Sequence, residues 1–215
     1  MNDDKGIVEV ADVAELRSIL GDVNPRAADK DRPDLHPMQA RWIEASPFCL
    51  VATSDAQGRC DVSPKGDPAG FCKVLGPQQL VIPERPGNRR ADAFHNVIAN
   101  GQVGLIFLIP GRPQTLRVNG RARIVRDAPF FEDLIVDGHR PKLALLVDVE
   151  QVFFHCSKAF LRSNLWEHET WNTDVVPTHA QISHALKPDG ISLKELESYY
   201  GKSYATNLYR EPGSK

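Results

Sequence analysis

The middle of the chain reads Val103-Gly-Leu-Ile-Phe-Leu-Ile109, then Pro110-Gly-Arg-Pro113, then Leu116-Arg-Val-Asn-Gly-Arg-Ala-Arg-Ile124. The first run is almost entirely apolar, the second is typical of a turn, and in the third apolar and polar residues alternate as in a half-buried strand. We therefore predict two strands joined by a turn. The alternation keeps its phase across Asn119-Gly120, so one long bent strand and a hairpin are both open for the third segment.

Shorter extended segments flank this region. They are residues 48–53, 60–63, 71–75, 79–83 and 143–154. Helical spacing is found before residue 48, at 90–100, and after Ser157, where Ser192 and Glu195 have capping-box spacing. Six or more closely spaced strands with only one or two helices among them favour an antiparallel barrel over a βαβ sheet. The strand at 103–109 is apolar on both faces, which predicts that one face meets the core and the other a helix or a partner subunit.

Composition excludes several classes of protein. The 215 residues are 41% hydrophobic, and 26 basic against 28 acidic side chains leave a net charge of −2. Such a balance gives no bulk attraction to nucleic acid or anionic membrane. The longest apolar run is far shorter than the roughly 20 residues of a membrane span. The first residues, Met-Asn-Asp-Asp-Lys, do not resemble a signal peptide. We expect a cytoplasmic protein without a membrane or nucleic-acid partner.

The cysteines indicate a reduced protein. Cys49, Cys60, Cys72 and Cys156 show no CxxC spacing. Two disulfides are possible by number, but a chain of this length with its own core favours free, buried thiols. His155 beside Cys156 is interpreted as a packed or hydrogen-bonded side chain rather than a metal ligand, because no other histidine has ligand spacing to it.

Two segments carry candidate chemistry. In Val62-Ser-Pro-Lys-Gly-Asp67, Pro64 and Gly66 interrupt a strand around Lys65. This pattern is typical of an edge-strand bulge with a solvated lysine. The alternative is a site at which the backbone and the lysine meet a planar, partly anionic ligand. The segment Glu84-Arg-Pro-Gly-Asn-Arg-Arg90 leads into a helix. Arginine forks beside the unsatisfied N–H groups of a helix start match a phosphate, and a charged surface turn is the alternative.

Two further sets of cations are less specific. Arg112, Arg117, Arg121, Arg123 and Arg126 are typical of a solvated strand face, and without interleaved aromatic residues they do not indicate a nucleic-acid site. After the long strand at 143–154, Lys158, Arg162 and Trp166 have the spacing that places side chains on one helix face, which suits charge and stacking on a ligand.

Taken together, Val62–Phe71, Leu80–Arg90 and Leu116–Ala122 resemble the pyridoxamine 5′-phosphate oxidase-like family, and His155–Trp166 resembles a subgroup of probable FMN-dependent enzymes. The resemblance covers about residues 40–170 and implies a homodimer with FMN in the cleft between subunits. The fold it implies is mainly β (α+β), a six-stranded antiparallel split β-barrel with helical extensions. We therefore divide the chain into an N-terminal helical extension at 1–47, an FMN-binding split barrel domain at 48–170 and a C-terminal helical tail at 171–215.

The resemblance also implies site residues. Arg89 and Arg90 match the family's pair on the FMN phosphate, Ser63 to Gly66 match the strand beside the flavin ring, and Thr115 lies near the place of a ring-edge contact. The predicted cofactor-binding residues are Ser63, Pro64, Lys65, Gly66, Asp67, Pro83, Glu84, Arg85, Asn88, Arg89, Arg90, Thr115, Arg117 and Trp166. The predicted substrate-binding residues are Lys158 and Arg162; no metal ligand and no catalytic residue is assigned.

One departure limits the function that the resemblance implies. The Arg-Leu-His-type motif near the C-terminus, by which the true oxidases hold their substrate phosphate, is absent from the sequence. The resemblance therefore implies an FMN-dependent oxidoreductase that acts on an unidentified small molecule rather than on vitamin B6. The alternatives are a flavin-binding protein without catalysis, for storage, sensing or electron relay, and a small-ligand binder that has lost FMN. Deazaflavin or haem in place of FMN is also open.

Overall fold

The two strands predicted around residues 103–124 are neighbours in the centre of a sheet. The computed structural model describes residues 6–187, 190–206 and 208–209. The strands are β1 (Phe48–Ser54), β2 (Cys60–Gly66), β3 (Lys73–Gly76), β4 (Gln79–Pro83), β5 (Gln102–Leu108), β6 (Thr115–Val125) and β7 (Ala144–His155). Within the described residues they form one sheet in the order β2-β1-β5-β6-β7-β4-β3, and every neighbouring pair is antiparallel.

The helices lie between these strands and in both terminal segments, as predicted. They are α1 (Val13–Leu20), α2 (Pro25–Ala28), α3 (Pro37–Ala45), α4 (Asp92–Ala99), α5 (Lys158–Ser163), α6 (His179–Leu186), α7 (Leu193–Tyr199) and α8 (Lys202–Ala205), with a 3₁₀ helix at Pro129–Leu134. No helix in the described ranges is both long and apolar enough to cross a bilayer.

The chain divides into two compact units, Met1–Asp31 and Arg32–Lys215. The first contains α1 and α2. Helix α1 begins after Asp12, whose side chain accepts a hydrogen bond from the Glu15 N–H, and ends at Gly21 with φ 77°, a conformation that glycine adopts without strain. The second unit contains the sheet and all later helices.

The resemblance implied six strands, whereas the described residues form seven, one for each extended segment predicted from the sequence. Phe71 and Cys72 are buried in the core, and the chain after them pairs as the short strand β3 with β4. Strand β3 is therefore the edge strand on this side of the sheet. It pairs with the hydrogen-bonding groups of β4 that face away from β7.

Of the two alternatives at Asn119-Gly120, a hairpin or one long bent strand, the structure shows the bent strand. Strand β6 pairs with β5 on one side and β7 on the other, with a β-bulge between Asn119 and Gly120. A Cβ atom built on Gly120 would lie 2.1 Å from the carbonyl oxygen of Asp148, a contact that real structures do not tolerate. Glycine therefore allows β6 and β7 to approach closely at the bend.

The inner face of the sheet and its helices enclose the main core. Buried side chains alternate along β1 and β5, and the core contains Val51, Leu105, Phe107, Leu116 and Val118, with Ile43 of α3 and Phe94 of α4 packed into it. A second, smaller cluster contains Phe131 and Leu134 of the 3₁₀ helix. All four cysteines are free; Cys49 and Cys72 are buried as predicted, whereas Cys60 and Cys156 are exposed.

Candidate functional site

One row of polar side chains lies on the inner face of the edge strand β2. Asp61, Ser63 and Lys65 alternate with the more exposed Val62 and Pro64. Lys65 is directly opposite Cys49, and Ser63 is opposite Val51, so the polar row continues the inner face that elsewhere is apolar core. Helix α4 packs against this strand, and the Lys65 Nζ lies 5.4 Å from the ring centroid of Phe94 in α4.

Two ion pairs connect the end of β2 to the residues after β4. Lys65 donates to Glu84, and Arg85 Nε donates to Asp67 at 2.5 Å. Four strands separate β2 from β4 in the sheet order, so these pairs form only because the sheet curls and brings the two regions together. The alternative of a solvated Lys65 is not what the structure shows, because the side chain is only 15% exposed and is paired.

Arg85 uses all three of its guanidinium nitrogens within the protein. Besides the bond to Asp67, one terminal nitrogen donates to the Leu134 carbonyl oxygen at 2.8 Å and the other reaches the His139 carbonyl oxygen at 3.4 Å. The Asp67 side chain is 2% exposed. A buried carboxylate needs such partners, because burial without them costs several kcal/mol, ~3–5 when one partner of a buried pair is removed. We interpret Arg85 and Asp67 as the support of the site.

The second half of the same loop is different. Asn88, Arg89 and Arg90 are exposed. The Arg90 amide donates to the Asn88 side chain at 3.0 Å, and its guanidinium donates to Asp92 at 2.8 Å. This bond to Asp92, with the nearby Asp61 carboxylate as a smaller contribution, raises the pKa of Arg90.

The backbone of this half turns through the left-handed region. Arg89 has φ 62° and Ala91 has φ 57°, which is unusual for residues with a side chain. Ala91 occupies the N-cap of α4, and no side chain caps the helix there. The Phe94 N–H donates to the Ala91 carbonyl oxygen, but the N-cap residue supplies no side-chain acceptor to the start of α4. A helix start of this kind beside two exposed arginines has the chemistry of an anion site. Asp92 also lines an open depression of about 490 Å³ between α4 and the β1–β2 turn, so solvent reaches the start of the helix.

Other predicted site residues lie on the outer face of the sheet. The register aligns Pro64, Leu50, Ile106, Arg117 and Phe153 in one row across five strands. The Arg117 guanidinium carbon lies 5.6 Å from the Phe153 ring centroid. Thus a single chain does not bring Arg117 and Pro64 to the same surface as Ser63 and Lys65.

Thr115 and Gly66 belong to this outer group by the same alternation. Thr115 begins β6 beside Arg117 and is 6% exposed, while Gly66 is opposite Phe48 at the end of β2. Pro83 is buried at the end of β4 and leads directly into Glu84. The predicted residues therefore form two groups on opposite sides of the sheet.

The prediction of one helix face for Lys158, Arg162 and Trp166 was wrong. Helix α5 ends at Ser163, and Asn164 has φ 49°, the left-handed conformation that commonly ends a helix. Lys158 and Arg162 are exposed on α5. Trp166 has left the helix; its indole N–H donates to the Arg112 carbonyl oxygen at 2.9 Å, and its ring stacks on Phe160 with centroids 5.7 Å apart. The Trp166 segment is thereby attached to the turn that leads into β6.

The buried thiol of Cys72, behind the polar row, is unsuited to nucleophilic chemistry. Burial raises the pKa of the Cys72 thiol well above its ordinary value, and the neighbouring Cys49 raises it further. A thiolate is the reactive form of cysteine. Cys72 is therefore a protonated, packed side chain at neutral pH.

Tyr209 is a site residue that the sequence did not reveal. Its phenol donates to Asp67, a residue 142 positions earlier, and its ring stacks on His139 with centroids 5.3 Å apart. Burial, followed by the bond to Asp67, raises the pKa of Tyr209 to about 12. No periodicity or motif relates such distant positions, so only the fold brings them together.

Comparison with known proteins gives the family. Solved structures that are similar to part of the chain include the following three. HupZ of Group A Streptococcus is 19% identical with a TM-score of 0.45, covering 56% of this chain and 93% of that one. An FMN-binding protein of Syntrophomonas wolfei is 10% identical with a TM-score of 0.43, covering 55% and 85%. HutZ, the heme storage protein of Vibrio cholerae, is 16% identical with a TM-score of 0.38, covering 56% and 93%.

These similarities are too low to bear on ligand or activity. A search of curated proteins finds no match. The family model of pyridoxamine 5′-phosphate oxidase, however, matches residues 35–156. This range is more than half of the chain and contains every strand and the loop between β4 and α4, and the chain therefore belongs to the pyridoxamine 5′-phosphate oxidase family.

Proposed function

We propose that the protein binds FMN and is an FMN-dependent oxidoreductase that acts on a small molecule. The observation that carries the proposal is the segment from Asn88 to Asp92, where two exposed arginines precede an uncapped helix start. A phosphate dianion fits this donor set, because guanidinium forks and helix-terminal N–H groups both bind phosphate oxygens. When bound, FMN supplies the redox chemistry that side chains lack.

The protein's own residues would position the cofactor. Arg89 and Arg90 would bind the phosphate, and the ion pair between Arg85 and Asp67 would hold the loop that carries them. Lys65 and Ser63 would line the adjacent inner face. Because Glu84 pairs with Lys65, the two side chains together add little net charge beside a ligand. The effect of Lys65 on a bound flavin would therefore come mainly from neutralising Glu84.

The two groups of predicted residues support a homodimer. Arg117, Thr115 and Pro64 lie on the face opposite to Lys65, so one cofactor can contact both groups only if two copies of the chain meet. The outer face has the character of an interface: Val62 is 55% exposed and Phe48 37% exposed. Leu50 and Ile106 lie in the row between these two residues, and the same row continues to Arg117. Contiguous exposed apolar side chains of this kind are usually covered by a partner.

The absorbance spectrum of the purified protein tests the cofactor. Bands near 370 and 450 nm that survive gel filtration support the proposal, whereas a Soret band would assign haem in its place. A deazaflavin is recognised by a single band near 420 nm without the 450 nm band.

Sedimentation tests the dimer: a mass of twice the 23.9 kDa chain is expected, and a monomer at micromolar concentration would contradict a site shared by two subunits.

A flavin-binding protein without catalysis is the alternative, because the same phosphate and ring contacts serve storage or electron relay. Steady-state turnover with NADH or NADPH and common electron acceptors distinguishes the two. Turnover that is lost together with FMN in Arg89→Ala supports the oxidoreductase. A protein that retains FMN and shows no turnover with any donor would leave the non-catalytic function.

A further inference from the structure

The C-terminal segment returns to the site through one side chain. Tyr209 follows a segment whose large side chains are mostly exposed: Tyr199 is 62% exposed, Tyr204 54% and Leu208 59%. Tyr209 itself is half-buried, donates to Asp67 and lies beneath the Arg85 guanidinium, 5.8 Å from the ring centroid. This residue lies beyond 35–156, the part of the chain that matches the family model.

The two oxygens of Asp67 have different partners. Arg85 Nε binds Oδ2, and the Tyr209 phenol binds Oδ1. Because the carboxylate is 2% exposed, water cannot readily replace either donor. Removal of the phenol would leave Oδ1 without this bond, and the carboxylate would shift or draw Arg85 towards itself.

Arg85 transmits such a shift to the loop. It is the second residue after β4, three positions before Asn88, and its guanidinium is also bonded to the Leu134 and His139 carbonyl oxygens. Its position therefore determines where the loop leaves the barrel. The Tyr209 ring also stacks on His139, whose carbonyl oxygen is one of the partners of Arg85. Tyr209 therefore contacts three residues of this support, namely Asp67, Arg85 and His139.

We propose that Tyr209 ties the C-terminal segment to this end of the barrel, a contact we call the strap, and that it is a positioning residue, whose phenol holds Asp67 and through Arg85 orients the loop that carries Arg89 and Arg90. The strap is a property of the chain without ligand. Its effect on ligand binding rests on the proposed function of the loop as an FMN phosphate site.

Three variants separate the contributions. Tyr209→Phe keeps the ring and removes the hydroxyl, Tyr209→Ala removes both, and Tyr204→Phe is a matched control because it removes a hydroxyl from an exposed tyrosine of the same segment. Hydrogen exchange of the ligand-free protein is measured at two amides beside the site: Asp67, which donates to the Pro47 carbonyl oxygen, and Glu84, which donates to the Leu143 carbonyl oxygen.

We expect both amides to exchange about 3- to 10-fold faster in Tyr209→Phe and not in Tyr204→Phe, since one hydrogen bond of ordinary strength is lost. The dissociation constant of FMN should rise by a similar factor of about 3 to 10, while that of riboflavin, which lacks the phosphate, should change by less than about twofold. A merely structural anchor would not change the ratio of the two constants.

Each contrary result has a defined meaning. Unchanged exchange in both Tyr209→Phe and Tyr209→Ala would overturn the strap. A defect confined to Tyr209→Ala would show that ring packing acts and the hydroxyl does not, which overturns the role of the phenol. Faster exchange with an unchanged FMN-to-riboflavin ratio would overturn the positioning role. If the unsubstituted protein binds no FMN, the proposed function fails, and the exchange data still decide whether the strap exists.

Discussion

The loop between β4 and α4 has two halves that contain the same residue type in opposite settings. In the first half, Arg85 is 14% exposed and is bonded to Asp67 and two carbonyl oxygens. In the second half, Arg89 and Arg90 are exposed at the start of a helix, where Arg89 and Ala91 adopt left-handed backbone conformations. Arg85 is largely buried with all its donors bonded within the protein, so it supports the fold. The exposed Arg89 and Arg90 lie beside a helix start that an anion can reach, and Arg90 is held there by Asp92.

The same distinction separates the charged inner group from the outer face. Lys65 and Glu84 neutralise each other within one chain, but Arg117 lies over Phe153 among half-exposed apolar residues. The inner group is therefore complete in a monomer, and the outer group is the part that a second copy would complete. Substitutions in the two settings should have separable effects on stability and on binding.

The largest expected effect is on stability, in Arg85→Ala. This change leaves the buried Asp67 carboxylate without its cationic partner, at a cost of about 3–5 kcal/mol in the free energy of unfolding. For a chain of this size each kcal/mol lowers the melting temperature by about 2–4 °C. Denaturant unfolding of the ligand-free protein measures the change. Arg89→Ala is the control and should cost less than about 0.5 kcal/mol; equal losses in both variants would remove the distinction between the two halves.

A smaller effect is expected for Lys65→Met. The methionine keeps most of the packing of the lysine stem but leaves Glu84, which is 32% exposed, without its partner. Because solvent screens a group exposed to this degree, the cost in stability should be about 1 kcal/mol. In the flavin-loaded protein the unpaired carboxylate should lower the midpoint potential. Spectroelectrochemistry measures the midpoint potential. The double variant Lys65→Met,Glu84→Gln tests whether the unpaired carboxylate is the cause, since removing that charge should restore much of the potential. An unaltered potential in Lys65→Met would place the lysine away from the ring.

The smallest effect concerns alkaline pH. The pKa of Tyr209 is raised from 10.0 to about 12 by burial and by Asp67, with Asp137 adding to the effect and Arg85 opposing it, while the His139 ring lies against the phenol. The protonated phenol is thus favoured in the folded state, so its contribution to stability is complete below pH 10 and is lost as the pH rises towards 12. Tyrosinate absorbance near 295 nm should show a late component that disappears in Tyr209→Phe. If the component that Tyr209→Phe removes titrates near the ordinary pKa of 10.0 and the late component remains, the phenol does not bind Asp67.

Local features of the fold could be predicted from sequence because they depend on neighbouring residues. The alternation from Leu116 to Ile124 predicted β6, and Ser192 with Glu195 predicted the capping box that begins α7. The Trp166 prediction failed because helical spacing was extended through Asn164, although asparagine readily adopts the left-handed conformation.

The pairing of charges could not be predicted in this way. Lys65 and Glu84, or Asp67 and Tyr209, are brought together by the curl of the sheet and the return of the C-terminal segment, and no local pattern encodes either. For this reason Arg85 and Arg89 were equivalent in the sequence, as two arginines of one loop, and became different only in the structure.

The central claim is that the exposed half of the loop binds the phosphate of FMN. The most direct measurement is the pair of dissociation constants for FMN and riboflavin in the unsubstituted protein, in Arg89→Ala, and in Arg41→Ala, an exposed arginine of α3 that serves as control. Loss of one charged hydrogen-bond partner costs about 1.5–3 kcal/mol, so Arg89→Ala should weaken FMN binding by about 10- to 100-fold, with riboflavin binding and Arg41→Ala unaffected. If Arg89→Ala binds FMN as tightly as the unsubstituted protein, or loses riboflavin to the same degree, the loop is not the phosphate site.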